Sequence, residues 1–176
     1  MNKKTLLVFA LVAVSYLANA QKGTNKIQVA GQVDFPTGDL ADVAKTGFGG
    51  AAKGMLGFSA KPQYVTLEAG YNNFSVKNLP SSVNANYSSV PIYLGYRANL
   101  SSVILEGQAG VSLNHIEAAG PGGTVSANQT GFGWALSAGY EFNNIELSVR
   151  YQNSEAESDN QKIRFVGIRL GYNFSL

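Results

Sequence analysis

Apolar and polar residues alternate along most of this chain, most clearly in its last segment. From Val166 to Leu176 every second residue is apolar. The residues between are small or polar, and Arg169 is the only charged one among them. Because successive side chains of a β-strand point to opposite faces, this pattern predicts a strand with one apolar face. A soluble sandwich would carry many Lys and Glu on the polar face. The segment therefore favours a strand that spans a membrane.

The register of this strand follows from the cost of placing charge in lipid. A slip by one residue would turn Arg169 toward hydrocarbon, at a cost of about 2–4 kcal/mol. It would also turn Tyr172 and Phe174 inward. The segment matches the roughly 9–11 residues that a tilted membrane-spanning strand needs. We therefore predict that Leu170 faces lipid and Arg169 faces the interior.

The same alternation recurs along the rest of the chain. It predicts strands near 26–35, 47–60, 64–74, 88–98, 102–116, 130–142, 145–154 and 166–176. The connections after the second, fourth and sixth strands are short, whereas 36–46, 75–87, 117–129 and 155–160 are longer loops. An even strand count with short turns on one side is typical of bacterial outer-membrane barrels, whose short turns are periplasmic. The sequence predicts an all-β, eight-stranded antiparallel up-and-down transmembrane β-barrel with periplasmic termini.

Many aromatic residues share the apolar parity of their strands and avoid the strand centres. This distribution predicts two girdles at the membrane interfaces, although aromatic residues are also common in strands generally. The predicted periplasmic girdle is Phe58, Tyr96, Tyr140, Phe142, Tyr172 and Phe174, and the outer girdle is Phe35, Phe48, Tyr71, Phe132, Trp134 and Tyr151.

Charged residues take the inward parity. An eight-stranded barrel is just wide enough for side chains to fill, and buried charges must be paired or hydrogen-bonded. Two interpretations stay open: a polar plug that holds the barrel rigid, and a gated path for ions or small solutes. Besides Asp34, the predicted lumenal network contains Lys53 opposite Glu68 and Arg97 opposite Glu106. Arg150 and Arg169 lie on adjacent predicted strands and need a carboxylate nearby. Glu141 faces Glu146 across a turn, so an Arg or a shared proton is expected between them.

The start of the chain has the pattern of a secretory signal peptide. Lys3 and Lys4 precede an apolar run over residues 6–17, and small residues at 18 and 20 mark a cleavage site. The run is shorter than the roughly 17–25 residues of a membrane-spanning helix. We predict a signal peptide over 1–20 and a barrel domain over 21–176.

Charge and composition exclude several functions. Without the two leader lysines, the 13 basic residues of the chain fall to the number of its 11 acidic residues, so no nucleic-acid partner is expected. The chain has no Cys, which excludes disulfides and thiol chemistry. His115 is the only histidine and has no Ser two residues away. We predict no catalytic, metal or cofactor site.

The longer loops contain candidate contact residues. Asp39 and Asp42 could cap a short helical turn or, as the less favoured alternative, bind a cation. Residues 120–123 with Ser126 and Asn128 are predicted to form a flexible loop that could touch a partner. No ligand is indicated by these residues.

Together these features resemble the small eight-stranded outer-membrane barrel family of the OmpA/OmpX type, the outer membrane protein β-barrel domain, over residues 21–176. The resemblance is carried by the leader, the strands, the Phe35-Pro36-Thr37-Gly38-Asp39 segment and the aromatic last strand. Many members end on Phe, whereas this chain ends on Leu176. The resemblance implies a cell outer-membrane location, contact with outer-membrane lipid and recognition by the assembly machinery through the C-terminal strand.

The function implied is envelope structure or surface interaction through the outer loops. A narrow gated porin-like channel is the alternative, and a lipid-modifying enzyme is less favoured. A secreted soluble barrel or an adhesive sandwich remains open, but charged residues are only 14% of the chain, which disfavours an exposed polar face.

Overall fold

The computed structural model describes residues 24–59, 61–80, 83–155 and 162–176. The predicted signal peptide and most of the predicted 155–160 loop lie outside these residues. Within the described ranges, no helix is long and apolar enough to cross a membrane.

Eight antiparallel strands, each paired with its neighbours in the chain, close into a barrel. The strands are β1 (Lys26–Thr37), β2 (Gly47–Gly57), β3 (Gln63–Ser75), β4 (Asn84–Leu100), β5 (Val103–Gly120), β6 (Gly123–Phe142), β7 (Ile145–Glu155) and β8 (Lys162–Ser175). A short helix, α1 (Asp39–Val43), follows β1. The predicted fold class, strand count and up-and-down topology are confirmed.

The pairing register determines the dimensions of the barrel. Partners followed from Lys26 around all eight strands return to β1 at Pro36, which is a shear of ten residues. Such staggering tilts the strands by about 35–45° from the barrel axis. An eight-stranded barrel of this type has an interior that side chains fill.

The predicted inside and outside of the strands are also confirmed. Leu67, Leu94 and Leu170 are about 60% exposed on the outer surface, whereas Arg169 is 3% exposed and lies inside. Large apolar side chains spread over the whole outer wall would be costly in water. They suit a wall that faces hydrocarbon, where all backbone groups are paired within the closed sheet.

The outer ends of β4, β5 and β6 continue past their last described pairs with β3 and β7. We call this three-stranded sheet the extension; it comprises residues 84–85, 115–120 and 123–131. The prediction of a loop over 117–129 was therefore wrong, since Pro121 and Gly122 alone separate β5 from β6. The ladder runs on without a break to Gly120 and Gly123. A sheet in water needs no strong apolar alternation, so the sequence pattern was weak here.

Turn geometry follows the local sequence. Asn143 and Asn144 have φ values of 48° and 69°, as expected for a two-residue hairpin turn. The prediction that Asp39 or Asp42 caps a helix was wrong, because Gly38 takes the N-cap position and no side chain caps α1. Both Asp residues lie within the first turn of α1, and Asp39 is 3.5 Å from the Arg164 guanidinium.

Candidate functional site

Glu68 is the centre of a charge network in the lumen. Its carboxylate accepts two hydrogen bonds from Arg169, at 2.7 and 3.0 Å. Arg150 and Lys53 each place a nitrogen 3.3 Å from it. Glu68 is 1% exposed, so three cations hold a carboxylate that is buried from bulk solvent. This is the carboxylate that the sequence required near the two arginines of β7 and β8.

Lys53 joins Glu68 to a second carboxylate. Its Nζ donates to Glu106 at 2.6 Å, and the Thr66 hydroxyl donates to the same carboxylate at 2.9 Å. Lys53 and Glu68 are directly opposite on β2 and β3, as the sequence indicated. The shorter contact of Lys53, however, is with Glu106 on β5, across the lumen.

Arg97 holds two glutamates at the periplasmic end of the lumen. Its guanidinium donates to Glu146 at 2.6 Å and to Glu141 at 3.1 Å. Glu106, which lies opposite Arg97 in the ladder, is 3.9 Å away. Strand pairing therefore identified a neighbour of Arg97 but not its main partners, because the long side chain extends to the β6–β7 turn, where two carboxylates face each other.

Lys26 is a member of the network that the sequence analysis missed. Its Nζ lies 2.7 Å from Glu141. Lys26 has the inward parity of β1, two positions before Gln28. That parity could have predicted its place in the lumen. With Lys26 included, the described residues place five basic and five acidic side chains in the lumen: Lys26, Lys53, Arg97, Arg150 and Arg169, with Asp34, Glu68, Glu106, Glu141 and Glu146.

Uncharged polar groups continue the packing above the charges. Gln32 accepts from Arg169 at 2.6 and 2.9 Å and donates to the Asp34 carboxylate at 2.8 Å. On the opposite wall, the Tyr93 hydroxyl lies 2.7 Å from the Ser112 hydroxyl, which lies 2.9 Å from that of Ser154. These groups are buried.

Inward glycines are covered by side chains of neighbouring strands. A methyl group at Gly133 would overlap the Tyr93 hydroxyl, one at Gly49 would overlap Asn72, and one at Gly167 would meet Asp34. At these positions the space left by a missing side chain is filled by another residue. The interior is therefore tightly packed around its glycines.

Replacing Gly133 by Ala should destabilise the barrel by about 1–3 kcal/mol, because overpacking moves the Tyr93 ring. The matched control is Gly31→Ala, whose new methyl would point to the lipid side, with no atom within 4 Å. Denaturant unfolding followed by circular dichroism measures both. Equal midpoints for the two variants would contradict a tightly packed interior.

An apolar cluster closes the outer end of the lumen. Phe74 is fully buried, and its ring centroid lies 5.3 Å from that of Phe165 and 6.1 Å from that of Tyr87. The helix α1 adds Leu40, and Ala44 follows it and bridges to Val76. We call this set the outer plug; its residues are Leu40, Ala44, Phe74, Tyr87, Ile163 and Phe165. The sequence analysis missed it, although Phe74 and Phe165 sit on the inward parity.

The twelve residues of the predicted girdles all have the outward parity of their strands. At the periplasmic side, the rings of Tyr172 and Phe174 lie 4.7 Å apart and those of Phe58 and Tyr96 lie 6.2 Å apart. At the outer side, Trp134 packs on Tyr151 at 5.5 Å. Aromatic side chains therefore pack on one another on the outer surface near both ends of the barrel.

His115 lies on the polar face of the extension. Its Nδ1 is 2.7 Å from the Asn128 amide oxygen, and its Nε2 is 3.6 Å from Glu117. Neither neighbour is a Ser, Thr or Cys that the imidazole could activate. Within the described part of the chain, no group of three or more His, Cys, Asp or Glu could hold a metal ion.

The ladders on the two sides of β6 begin at different points along the strand. The β5–β6 ladder runs to Gly123, but the β6–β7 ladder begins at Gly133 and Ser154. Residues 123–132 of β6 pair with β5. The Ser126 and Asn128 that the sequence placed in a flexible loop lie in this ordered strand.

The family model for the outer membrane protein beta-barrel domain matches residues 5–174. The chain belongs to this family. It is therefore an outer-membrane barrel, which explains why apolar side chains cover its outer wall and charges fill its lumen.

Solved structures with the same fold include the attachment invasion locus protein Ail of Yersinia pestis, with 16% identity, a TM-score of 0.64 and coverage of 88% of this chain and 100% of that chain. The N-terminal barrel of Pseudomonas aeruginosa OprF has 15% identity, a TM-score of 0.61 and coverage of 87% and 100%. Neisserial surface protein A has 16% identity, a TM-score of 0.57 and coverage of 88% and 100%. A search of curated proteins finds no match to the chain.

Proposed function

We propose that this protein is a closed, non-conducting outer-membrane barrel that holds the extension outside the membrane for contact with surface molecules. The observation that carries the proposal is the lumen, in which the charge network lies beneath the outer plug. Export by a signal peptide over 1–20, contact with outer-membrane lipid and assembly through the aromatic C-terminal strand belong to the same proposal.

The energetics of the charge network support a plug rather than a pore. An ion that crosses the lumen must displace contacts such as the paired hydrogen bonds from Arg169 to Glu68. Removing one partner of a buried ion pair costs about 3–5 kcal/mol, because the other charge is left uncompensated. The contacts of Glu68 with Arg150 and Lys53 would be disturbed at the same time.

The outer plug supports the same conclusion by a different mechanism. Apolar constrictions exclude water and so block ions. Phe74 and Phe165 are both fully buried, and their rings pack on each other. An ion would therefore meet an apolar barrier in addition to the charge network.

The extension supports a role in surface contact. Its three strands are paired in continuous register, so it is a sheet rather than a loose loop. Ail is by name an attachment protein, and attachment is a role that an outward-facing sheet could serve in this chain. The contacts of His115 with Asn128 and Glu117 give no catalytic arrangement, so the proposal includes no enzymatic activity.

Planar-bilayer recording tests the closed lumen. We expect the refolded mature chain to show no discrete openings, with heat-modifiable gel migration as the control for folding. Reproducible single-channel openings that change in Glu68→Ala or Glu106→Ala would instead support the gated pore. Such openings in the folded wild type would overturn the proposal.

A further inference from the structure

The outward face of β3, β4 and β5 changes from apolar to polar near the outer end of the barrel. Within the membrane this face carries exposed side chains such as Tyr71, Ile92 and Leu113. Farther out, two adjacent rows of the pairing ladder carry only polar side chains on the same face. We call these six residues the polar block; they are Asn73, Ser88 and His115 in the lower row and Ser75, Asn86 and Glu117 in the upper row.

The tilt of the strands sets the height of the polar block above the membrane. One circuit of the ladder climbs from Lys26 at the periplasmic end of β1 to Pro36 at its outer end, so each step to the next strand rises outward. Strands that lie about 4.8 Å apart and tilt by about 35–45° rise by about 3 Å per step. The lower row starts beside Phe48 of the outer girdle, so His115 lies about 9 Å above that ring. Glu117, two residues farther along β5, lies about 14 Å above it.

Phospholipid head groups do not reach the upper part of the polar block. A bilayer is about 30 Å thick in its hydrocarbon core and about 40–45 Å thick with its head groups, which leaves about 5–8 Å of head group on each side. The outer leaflet of an outer membrane carries glycolipids whose sugars extend beyond this layer. Because the block continues the lipid-facing wall of the barrel, its upper part stands beside those sugars.

The side chains of the polar block have the chemistry of a sugar-binding surface. Amides and hydroxyls both donate and accept hydrogen bonds, as sugar hydroxyls do. The six residues include no Lys or Arg, the residues that bind phosphate. They include no Tyr, Trp or Met, which are enriched in protein interfaces. The one carboxylate, Glu117, lies 3.6 Å from His115. The block therefore suits uncharged sugars better than phosphate groups or a protein.

The amides of the polar block are open to hydrogen bonds from outside. The Ser75 hydroxyl donates to the Asn86 amide oxygen at 3.3 Å, and the Asn73 amide donates to the Tyr71 hydroxyl at 3.4 Å. Both bonds are longer than the usual range of about 2.7–3.2 Å. Ser75, Asn86 and Glu117 are exposed, and His115 is half-exposed. A sugar at this height can therefore form hydrogen bonds with these groups.

We propose that the polar block binds the sugars that outer-leaflet glycolipids carry beyond their membrane-anchored part. The proposal rests on the contact with outer-membrane lipid proposed above and names the part of the lipid that is bound. The outer girdle contacts the acyl chains, and the block contacts the sugars of the same lipid layer. His115 and Glu117 belong to the extension, so this contact would also hold the extension upright beside the lipid.

Photo-crosslinking from the two faces of β5 tests the contact. Glu117 points outward, and its neighbour Ala118 points inward at almost the same height. Each is replaced in turn by p-benzoylphenylalanine, and the refolded chain is placed in phospholipid vesicles that contain either lipopolysaccharide with its core sugars or lipid A without them. We expect the Glu117 variant to crosslink to lipopolysaccharide several-fold more than the Ala118 variant. It should lose this product in the lipid A vesicles.

Phe48→p-benzoylphenylalanine is the positive control, because Phe48 is 67% exposed on the outer wall and should crosslink to lipid in both kinds of vesicle. Loss of this product from a variant that heat-modifiable migration shows to be folded would overturn the lipid contact on which the proposal rests. Equal products from the Glu117 and Ala118 variants, or none from the Glu117 variant, would overturn the sugar contact alone. A Glu117 product that persists with lipid A, or a protein dimer in its place, would do the same.

Unfolding in the two kinds of vesicle tests binding as distinct from proximity. A ligand that binds the folded state stabilises it, so the unfolding midpoint should be higher with lipopolysaccharide than with lipid A. A double variant, Asn73→Ala with Asn86→Ala, removes both amides of the polar block and should reduce this rise. Its midpoint with lipid A should stay near that of the wild type, because both side chains lie on the outward surface. An unchanged rise in the double variant would overturn binding by the block. Conductance tests the closed lumen separately.

Discussion

Replacing Glu68 by Gln should lower the free energy of unfolding by about 3–5 kcal/mol, the cost of leaving buried charges without a partner. Gln keeps the shape of the side chain, so the change isolates the charge. Arg169 and Arg150 would lose their carboxylate, whereas Lys53 would keep Glu106 at 2.6 Å. Unfolding in denaturant, followed by the fluorescence of the single tryptophan, measures the difference.

Glu117→Gln is the matched control for Glu68→Gln. The Glu117 side chain is 55% exposed on the extension and contacts His115 at 3.6 Å. An exposed pair of this kind contributes about 0–1 kcal/mol. If both glutamine variants unfolded at the wild-type midpoint, Glu68 would not be the centre of the network.

Replacing Phe74 by Ala should cost about 3–5 kcal/mol, because it removes a buried ring and leaves a cavity. Phe74 is fully buried between Phe165 and Tyr87, so the cavity would open within the outer plug. The same unfolding measurement applies. The charge network beneath is untouched, so we expect the folded variant to remain non-conducting.

Phe48→Ala is the control for the outer plug. Phe48 is 67% exposed on the outer wall, so its removal leaves no enclosed cavity and should cost less than removal of Phe74. Equal losses at the two positions would show that the outer plug is loosely packed. Channel openings in Phe74→Ala would show that the outer plug, rather than the charge network, blocks ions.

The inward and outward faces of the barrel wall were predictable because a charged side chain that faces lipid costs free energy. A charged side chain such as Arg169 can face only inward, and one such residue determines the register of a whole strand. The extension lacks this constraint, because both of its faces meet water. Its small residues gave no strong alternation, although pairing with β5 continues through Ala127 and Ser126.

The inside of the lumen was only partly predictable. Parity assigned the charged residues to the interior, but it could not give the direction of long side chains. Arg97 therefore lies opposite Glu106 in the ladder and yet binds Glu146. Parity also places Phe74 and Phe165 inside, but it does not show that they pack together into the outer plug.

The contacts of Glu68 also bear on how fast the barrel unfolds. Its partner Arg169 is 101 residues away along the chain, on the strand that closes the barrel against β1. Loops of this length must close before such contacts can form. We therefore expect the charge network to form after the rate-limiting step of folding. Interactions that are absent from the transition state slow unfolding with little effect on the folding rate. The network would then slow unfolding and so prolong the lifetime of the folded barrel.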